Sequence, residues 1–89
     1  ARRSAAALLP VLPARQYDIG RQMDETLRLH SDKSRQQRYN YILRLLHDVG
    51  LDDPDRVYRA YPHMLSGGML QRVIIAMARH TRNQAHYFE

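Results

Sequence analysis

The sequence predicts a small, mainly α-helical fold. In three stretches the apolar residues recur every three or four positions, which is the spacing of one face of a helix. Residues that cap helices, and glycines or prolines that end them, stand at the borders of these stretches. No convincing strand pattern is present, and 89 residues allow at most one small domain. We therefore expect about four helices around one limited core.

Composition narrows the classes of function. The hydrophobic fraction of 44% is ordinary for a folded protein and argues against disorder of the whole chain. The absence of cysteine excludes disulfides and thiolate metal sites. The longest apolar run, Val73–Ala78, is too short to span a bilayer.

The chain is basic, with a net charge of +5 that comes almost entirely from arginine. Such a balance is compatible with nucleic acid, phosphate or anionic lipid as a partner. The arginines are spread along the sequence and do not form one run, which favours solvated helix faces over a dedicated nucleic-acid surface.

The chain begins with a segment that lacks a helical or strand period. Residues 1–17 are interrupted by Pro10 and Pro13 and carry three arginines. Proline breaks regular structure, so we expect an irregular connecting segment with at most a short turn at Ser4–Leu9.

The first helix is predicted to follow Asp18, whose carboxylate can accept a hydrogen bond from a first-turn amide. Its apolar stripe is Ile19, Met23 and Leu27, at positions i, i+4 and i+8. The helix is expected to end near His30, where Ser31 and Asp32 offer a turn.

The second helix is predicted to begin after Ser34, a suitable N-cap. Its apolar stripe consists of Tyr39, Ile42, Leu43, Leu46 and Val49. Gly50 stands just past the stripe, where a left-handed residue commonly ends a helix, and Leu51 would then fold back onto the last turn.

A third, short helix is predicted from an N-cap and a proline at the first helical position, Asp53 and Pro54. It should extend to about Tyr58. The Tyr61–Pro62 pair ends it, because the residue before proline disfavours the helical conformation.

The last helix is predicted to begin around Ser66. Its apolar face is marked by Leu70, Val73, Ile74 and Met77, while Ala76 and Ala78 make another face slim. After Ala78 the apolar period is lost, so residues 79–89 are predicted to be a polar tail.

Two glycines directly follow the serine that caps this helix. The first-turn amides of a helix lack intrahelical acceptors, and no side chain of Gly67 or Gly68 covers them. The positive end of the helix dipole lies at the same place. A serine hydroxyl, bare amides and this dipole together suit a phosphate oxygen. A flexible turn capped by serine is the alternative explanation of a bare Ser-Gly-Gly.

The residues around these glycines resemble the signature motif of ATP-binding cassette (ABC) ATPases. Leu65–Arg72 is LSGGMLQR, and the apolar helix VIIAMA follows at once. The Tyr-Pro-His lead-in at Tyr61–His63 and the methionine after the glycines are similar to the oligopeptide, dipeptide and nickel importer branch. Ile19–Met23 resembles the start of the helical subdomain in that branch, and residues 43–51 resemble its leucine-rich helix end.

The resemblance implies that residues 18–78 are the α-helical subdomain of a cassette, with the signature motif at 65–72. In that family the signature serine and glycines touch the γ-phosphate of ATP bound to the opposite subunit. Ser66, Gly67 and Gly68 would therefore contact ATP in trans, and Gln71 and Arg72 would hold the helix start behind them.

The resemblance also implies a function for the parent protein, which would hydrolyse ATP to energise import of a peptide or nickel. ATP and Mg²⁺ would be bound by the complete dimeric ATPase and not by this chain alone. The implied partners are a second ABC ATPase subunit and transmembrane permease subunits. The implied location is peripheral, at the cytoplasmic face of the inner membrane of a bacterial-type cell.

Other parts of an ABC ATPase are not present in this sequence. It has no P-loop of the form G-x-x-x-x-G-K-[ST], no Walker B strand ending in Asp-Glu, and no residue that we assign to the Q-loop. Residues 79–89 diverge from the family, and residues 13–18 look like an insertion. We therefore expect an excised, truncated, frame-shifted or degenerate piece of a cassette, without the α/β nucleotide-binding core, that is inactive alone and has no catalytic residue.

The remaining groups of histidine and acidic residues indicate structural roles more than catalysis or metal binding. The histidines form no metal-ligand pair on one helix face, and we expect His80 and His86 at the surface. The neighbouring acids at 52, 53 and 55 are better explained by helix capping than by acid–base catalysis. The alternative function is a free-standing basic helical module that binds protein or nucleic acid.

Overall fold

The computed structural model describes residues 17–87, except for the side chains of residue 30 and residues 83–87. This part of the chain contains four α-helices, one short 3₁₀ turn and no strand, which confirms the mainly α prediction. The elements are α1 (Ile19–His30), α2 (Arg35–Asp48), α3 (Pro54–Arg59), the 3₁₀ turn (Pro62–Met64) and α4 (Gly67–Tyr87). The turn expected at Ser4–Leu9 lies outside the described residues.

Helix α1 begins as predicted at Asp18, whose Oδ1 accepts a hydrogen bond from the amide of Arg21 at 2.8 Å. Its three stripe residues are almost completely buried, namely Ile19, Met23 and Leu27. The amide of Ile19 also donates to the carbonyl of Ala60 at 2.9 Å, which ties the start of α1 to the end of α3.

Helix α2 is bounded by two recognisable motifs. At its start, Ser34 Oγ accepts from the amide of Gln37 at 3.2 Å, and Gln37 Oε1 accepts from the amide of Ser34 at 2.8 Å, which is a capping box. At its end, Gly50 has a φ of 96°. The amides of Gly50 and Leu51 donate back to the carbonyls of His47 and Leu46, which is the Schellman pattern.

Helix α3 begins at Pro54 after the predicted cap, Asp53, and packs through tyrosine. The ring of Tyr58 covers Gly20 of α1 so closely that a Cβ there would lie 2.3 Å from a ring carbon. On its other side Tyr58 meets the ring of Tyr39 from α2 edge to face, with 5.0 Å between centroids. A glycine on α1 therefore lets α3 approach closely.

Helix α4 corrects three expectations from the sequence. Ile74, expected in the core, is 47% exposed, whereas Ala76 is fully buried. The helix also continues to Tyr87, nine residues beyond the loss of the apolar period at Ala78. His80, expected at the surface, is 5% exposed. The buried face is Val73, Ala76, Met77 and His80, at positions i, i+3, i+4 and i+7.

The core is one apolar cluster to which α2 is central, because α2 packs against α1, α3 and α4. Ile42 and Leu46 of α2 are fully buried, as predicted, and Leu45 is buried although the predicted stripe omits it. The ring of Tyr41 meets that of His80 at 5.7 Å, and its hydroxyl lies 3.3 Å from His80 Nδ1. The core thus holds α4 against α2 along the buried face of α4 and leaves Ile74 outside that face.

Candidate functional site

The candidate site is the start of α4, where Ser66 acts as the N-cap that the sequence predicts. Ser66 Oγ accepts a hydrogen bond from the amide of Met69 at 3.2 Å, and its carbonyl accepts from the amide of Leu70 at 2.9 Å. A hydroxyl that accepts one bond still has its own hydrogen to donate. Because Ser66 is exposed, that hydrogen is available to a ligand.

The two glycines leave the first turn of α4 uncovered. Gly67 and Gly68 are both exposed, and a Cβ built on either would meet no atom within 4 Å. Their amides belong to the first turn, which has no intrahelical acceptors, and they lie at the positive end of a 21-residue helix. An oxygen atom from outside the chain can therefore approach the backbone directly, so the residues present fit a phosphate group.

The start of α2 shows how a serine-capped turn looks when it is closed. There the side chain of Gln37 folds back onto the amide of Ser34, and the two residues after the cap, Arg35 and Gln36, both carry long side chains. At α4 the corresponding positions after the cap are glycines. The two helices share the serine cap, but only the start of α4 combines it with a bare backbone.

The two residues expected to hold the helix start occupy different surroundings. Gln71 and Arg72 are both exposed on the second turn of α4. Arg72 Nη1 donates to the carbonyl of Gly50 at 3.1 Å, which links α4 to the end of α2. The sequence indicates that Gly50 ends a helix, but no local signal pairs it with a residue 22 positions away.

Perturbed pKa values lie away from this site. The hydrogen bond to Asp55 raises the pKa of Tyr39 above its ordinary value, and burial raises that of Tyr58. The nearby charge of Asp55 likewise raises the pKa of Arg59, with which it forms a salt bridge of 3.4 Å. These groups lie where α2 meets α3, and they hold helices together.

The rest of the described chain offers little other site chemistry. No group of three or more His, Asp or Glu side chains among the described residues could hold a metal ion. A small apolar cavity borders Met23, Leu45, Met77 and His80, and its size suits a water molecule at most. None of the helices in the described part is both long enough and apolar enough to cross a membrane.

Sequence comparison finds relatives that cover about two thirds of this chain. A metal-staphylopine import system ATP-binding protein of Staphylococcus aureus is 43% identical over 60 residues, or 67% of this chain and 22% of the relative. A dipeptide transport ATP-binding protein of Haemophilus influenzae is 47% identical over 62 residues, or 70% of this chain and 19% of the relative.

A third relative, a glutathione import ATP-binding protein of Escherichia coli, is 42% identical over 62 residues, or 70% of this chain and 10% of the relative. The matched segment is thus at most about a fifth of each relative's length. No family model matches the chain. No solved structure matches it either.

Proposed function

Because this chain is related, over about two thirds of its length, to the ATP-binding proteins of ABC importers, we propose that it is part of the α-helical subdomain of such a protein. In this proposal Ser66, Gly67 and Gly68 contact the γ-phosphate of an ATP molecule held by a second ATPase subunit. Gln71 and Arg72 support the helix start from its second turn.

The observation that carries the proposal is the open start of α4 within LSGGMLQR. The Ser66 hydroxyl and the amides of Gly67 and Gly68 belong to one exposed stretch of chain at the positive end of a helix. Three donors in this arrangement can bind the oxygens of a terminal phosphate. ATP would supply the phosphoryl group, and this chain would supply hydrogen-bond donors that bind and orient it.

For the parent protein we propose ATP hydrolysis that energises import. The names of the relatives specify metal-staphylopine, dipeptide and glutathione as cargo, so small peptides and metal complexes are the substrate class we propose. The proposed partners are a second ATPase subunit and membrane-embedded permease subunits. The proposed location is the cytoplasmic face of the inner membrane.

The chain by itself is proposed to be inactive. The sequence holds neither a P-loop to cradle the phosphates nor the paired Walker B carboxylates for magnesium and water activation. In the complete dimer these parts would bind ATP and Mg²⁺, and residues 65–72 would close over the γ-phosphate from the opposite side.

The alternative of a basic module for nucleic acid has less support. Several arginines engage acidic side chains of the same chain. Arg38 lies 2.6 Å from Asp24, and Arg28 lies 3.4 Å from Glu25. These pairs reduce the positive field that a phosphate backbone would meet.

The test of the phosphate site is a titration of the ¹⁵N-labelled chain with inorganic triphosphate at low ionic strength, followed by NMR. The amides of Gly67 and Gly68 are expected to shift most, and more than those of the first turn of α2. Ser66→Ala should weaken the binding by about tenfold, because it removes a donor to a charged group.

The matched control is Ser34→Ala, which deletes the other serine cap. Each substitution costs about 1 kcal/mol of helix stability, so both variants lose a cap of similar strength. Only Ser66→Ala should lose triphosphate affinity. Equal shifts at the starts of α2 and α4, or equal effects of the two substitutions, would show general attraction to a basic chain and refute the proposed site.

A further inference from the structure

We propose that Arg72 is a positioning residue that orients the phosphate-binding turn of α4 by holding the carbonyl of Gly50. The proposal rests on the function proposed above and adds a second helix to the site. In this arrangement one hydrogen bond joins the residue after α2 to the second turn of α4.

The contact joins two helix ends of opposite polarity. Arg72 Nη1 lies 3.1 Å from the oxygen of Gly50, which follows the last turn of α2. The carbonyls at the end of a helix carry partial negative charge, so a guanidinium is stabilised there. The start of α4 carries partial positive charge and receives the anion. Arg72 thus places its positive charge beside the end of α2, while the start of α4 remains available for phosphate.

Gly50 meets two requirements at once. Its φ of 96° belongs to the left-handed region, which ends α2 in the Schellman pattern. A Cβ at this position would also lie 3.1 Å from Arg72 Nη1, closer than an ordinary contact. The glycine therefore provides both the turn that exposes its carbonyl and the room in which the guanidinium reaches it.

The rest of residues 65–72 contacts the protein mainly through apolar surface. Leu65, Met69 and Leu70 are partly buried against the core. Hydrophobic contact is not directional, so it holds the turn close without fixing its rotation. Among the described residues of this segment, Arg72 makes the hydrogen bond to another helix, and a hydrogen bond has a preferred direction.

The alternative is a direct role, in which the Arg72 side chain itself binds the phosphate. Arg72 stands on the second turn of a helix whose first turn is the proposed phosphate site, and arginine is a good phosphate ligand. In the direct role its contact with Gly50 would be irrelevant to binding. The two roles differ in what the ligand-free protein does when Arg72 is removed.

The first experiment compares Arg72→Gln with Arg79→Gln, an exposed arginine two turns further along α4. Both variants lose one positive charge. In the ligand-free ¹⁵N spectrum, Arg72→Gln is expected to shift the amides of Gly67, Gly68 and Leu51 together, and Arg79→Gln should leave them in place. Triphosphate affinity should fall about threefold to tenfold in Arg72→Gln, as for one hydrogen bond, and less than about twofold in Arg79→Gln.

The second experiment approaches the contact from α2. Gly50→Asn retains a residue that tolerates positive φ, but its Cβ crowds the guanidinium. This variant should weaken triphosphate binding by itself, and adding Arg72→Gln should weaken it little further, because both changes break one contact. Additive losses would mean that Arg72 acts independently of Gly50.

Three results would overturn the proposal. They are equal affinities for Arg72→Gln and Arg79→Gln, additive losses in the double variant, and unmoved glycine amides in ligand-free Arg72→Gln. If the unmodified chain shows no triphosphate shift at Gly67 and Gly68, the proposed function itself fails. If Gly50→Asn does not fold, the ligand-free spectrum of Arg72→Gln decides the question.

Discussion

The helical core and three residues of the signature segment (Leu65–Arg72), namely Ser66, Gly67 and Gly68, are built from opposite kinds of contact. The core side chains on α1 and α2 are apolar and almost completely buried. In the signature segment Ser66, Gly67 and Gly68 are exposed. The glycine of the core, Gly20, is tightly covered by Tyr58, whereas those of the signature segment face open space.

This difference assigns stability and the proposed binding chemistry to separate residues of the described part of the chain. Burial of apolar area supplies the main favourable free energy of folding, and Ser66, Gly67 and Gly68 contribute little of it. These three residues instead contribute hydrogen-bond donors that are exposed in the described part of the chain. Substitutions in the core should therefore change stability first, and substitutions in the segment should change binding first.

The largest effect is expected from Leu46→Ala in the centre of α2. Leu46 is fully buried in the apolar cluster, so its truncation should lower the free energy of unfolding by about 2–5 kcal/mol. Urea unfolding followed by circular dichroism measures the loss. If that variant is unfolded, Ile42→Val offers a smaller step of about 0.5–1.5 kcal/mol.

The matched control for this prediction is Ile74→Ala. Ile74 is 47% exposed on α4, so its truncation should cost clearly less than that of Leu46. Equal losses for the two variants would contradict the separation of core and surface on which the comparison rests.

Glycine-to-alanine substitutions at Gly20 and Gly67 are expected to change the free energy of unfolding by a smaller amount, and in opposite directions. Gly20→Ala should lower the free energy of unfolding by about 1–3 kcal/mol, because its Cβ would overlap the ring of Tyr58. Gly67→Ala meets open space, and alanine favours a helix, so stability should stay equal or rise by less than about 1 kcal/mol.

The same two variants should also differ in triphosphate binding. The methyl group of Gly67→Ala projects beside the bare amides and should weaken binding, although the fold is intact. Gly20→Ala should bind normally whenever it is folded. A stable Gly67→Ala variant with unchanged affinity would show that the open space at this glycine has no role in binding.

The smallest effect is expected at the border of the core, where Tyr39 donates a hydrogen bond to Asp55. This bond raises the pKa of Tyr39 above its ordinary value of 10.0. Since the folded pKa exceeds the unfolded one, the stabilisation is complete below about pH 10 and is lost as the pH rises through the folded value. NMR titration of ¹³C-labelled tyrosine measures this pKa, and Asp55→Asn should lower it. A pKa that the substitution leaves unchanged would contradict the assigned cause.

Much of the fold could be predicted because helix borders depend on local chemistry. Asp18, Ser34, Asp53 and Ser66 each cap a helix through bonds to amides three residues away. Gly50 ends α2 with positive φ for an equally local reason. These interactions lie within five residues of sequence, so a single sequence contains the information for them.

Apart from the omission of Leu45 from the stripe of α2, the wrong predictions concern α4, where the apolar period is ambiguous. Val73, Ile74 and Ile75 are consecutive, so the sequence permits more than one buried face. The position of α2 selects the face with Ala76 and His80, because small Ala76 lets the helices approach and Tyr41 receives the histidine ring. Because the buried residue His80 is polar, the apolar period does not indicate that the helix continues beyond Ala78.

Local sequence is enough to predict the four helices of the described residues, their capped starts, the left-handed end of α2 and the open Ser66-Gly67-Gly68 turn. Each of these follows from backbone groups and side chains that are close along the chain. Three other features depend on how the helices pack: which side of α4 is buried, that Tyr58 covers Gly20, and that Arg72 reaches the carbonyl of Gly50. Those contacts join residues 22 or more positions apart, and their geometry exists only once the helices have packed.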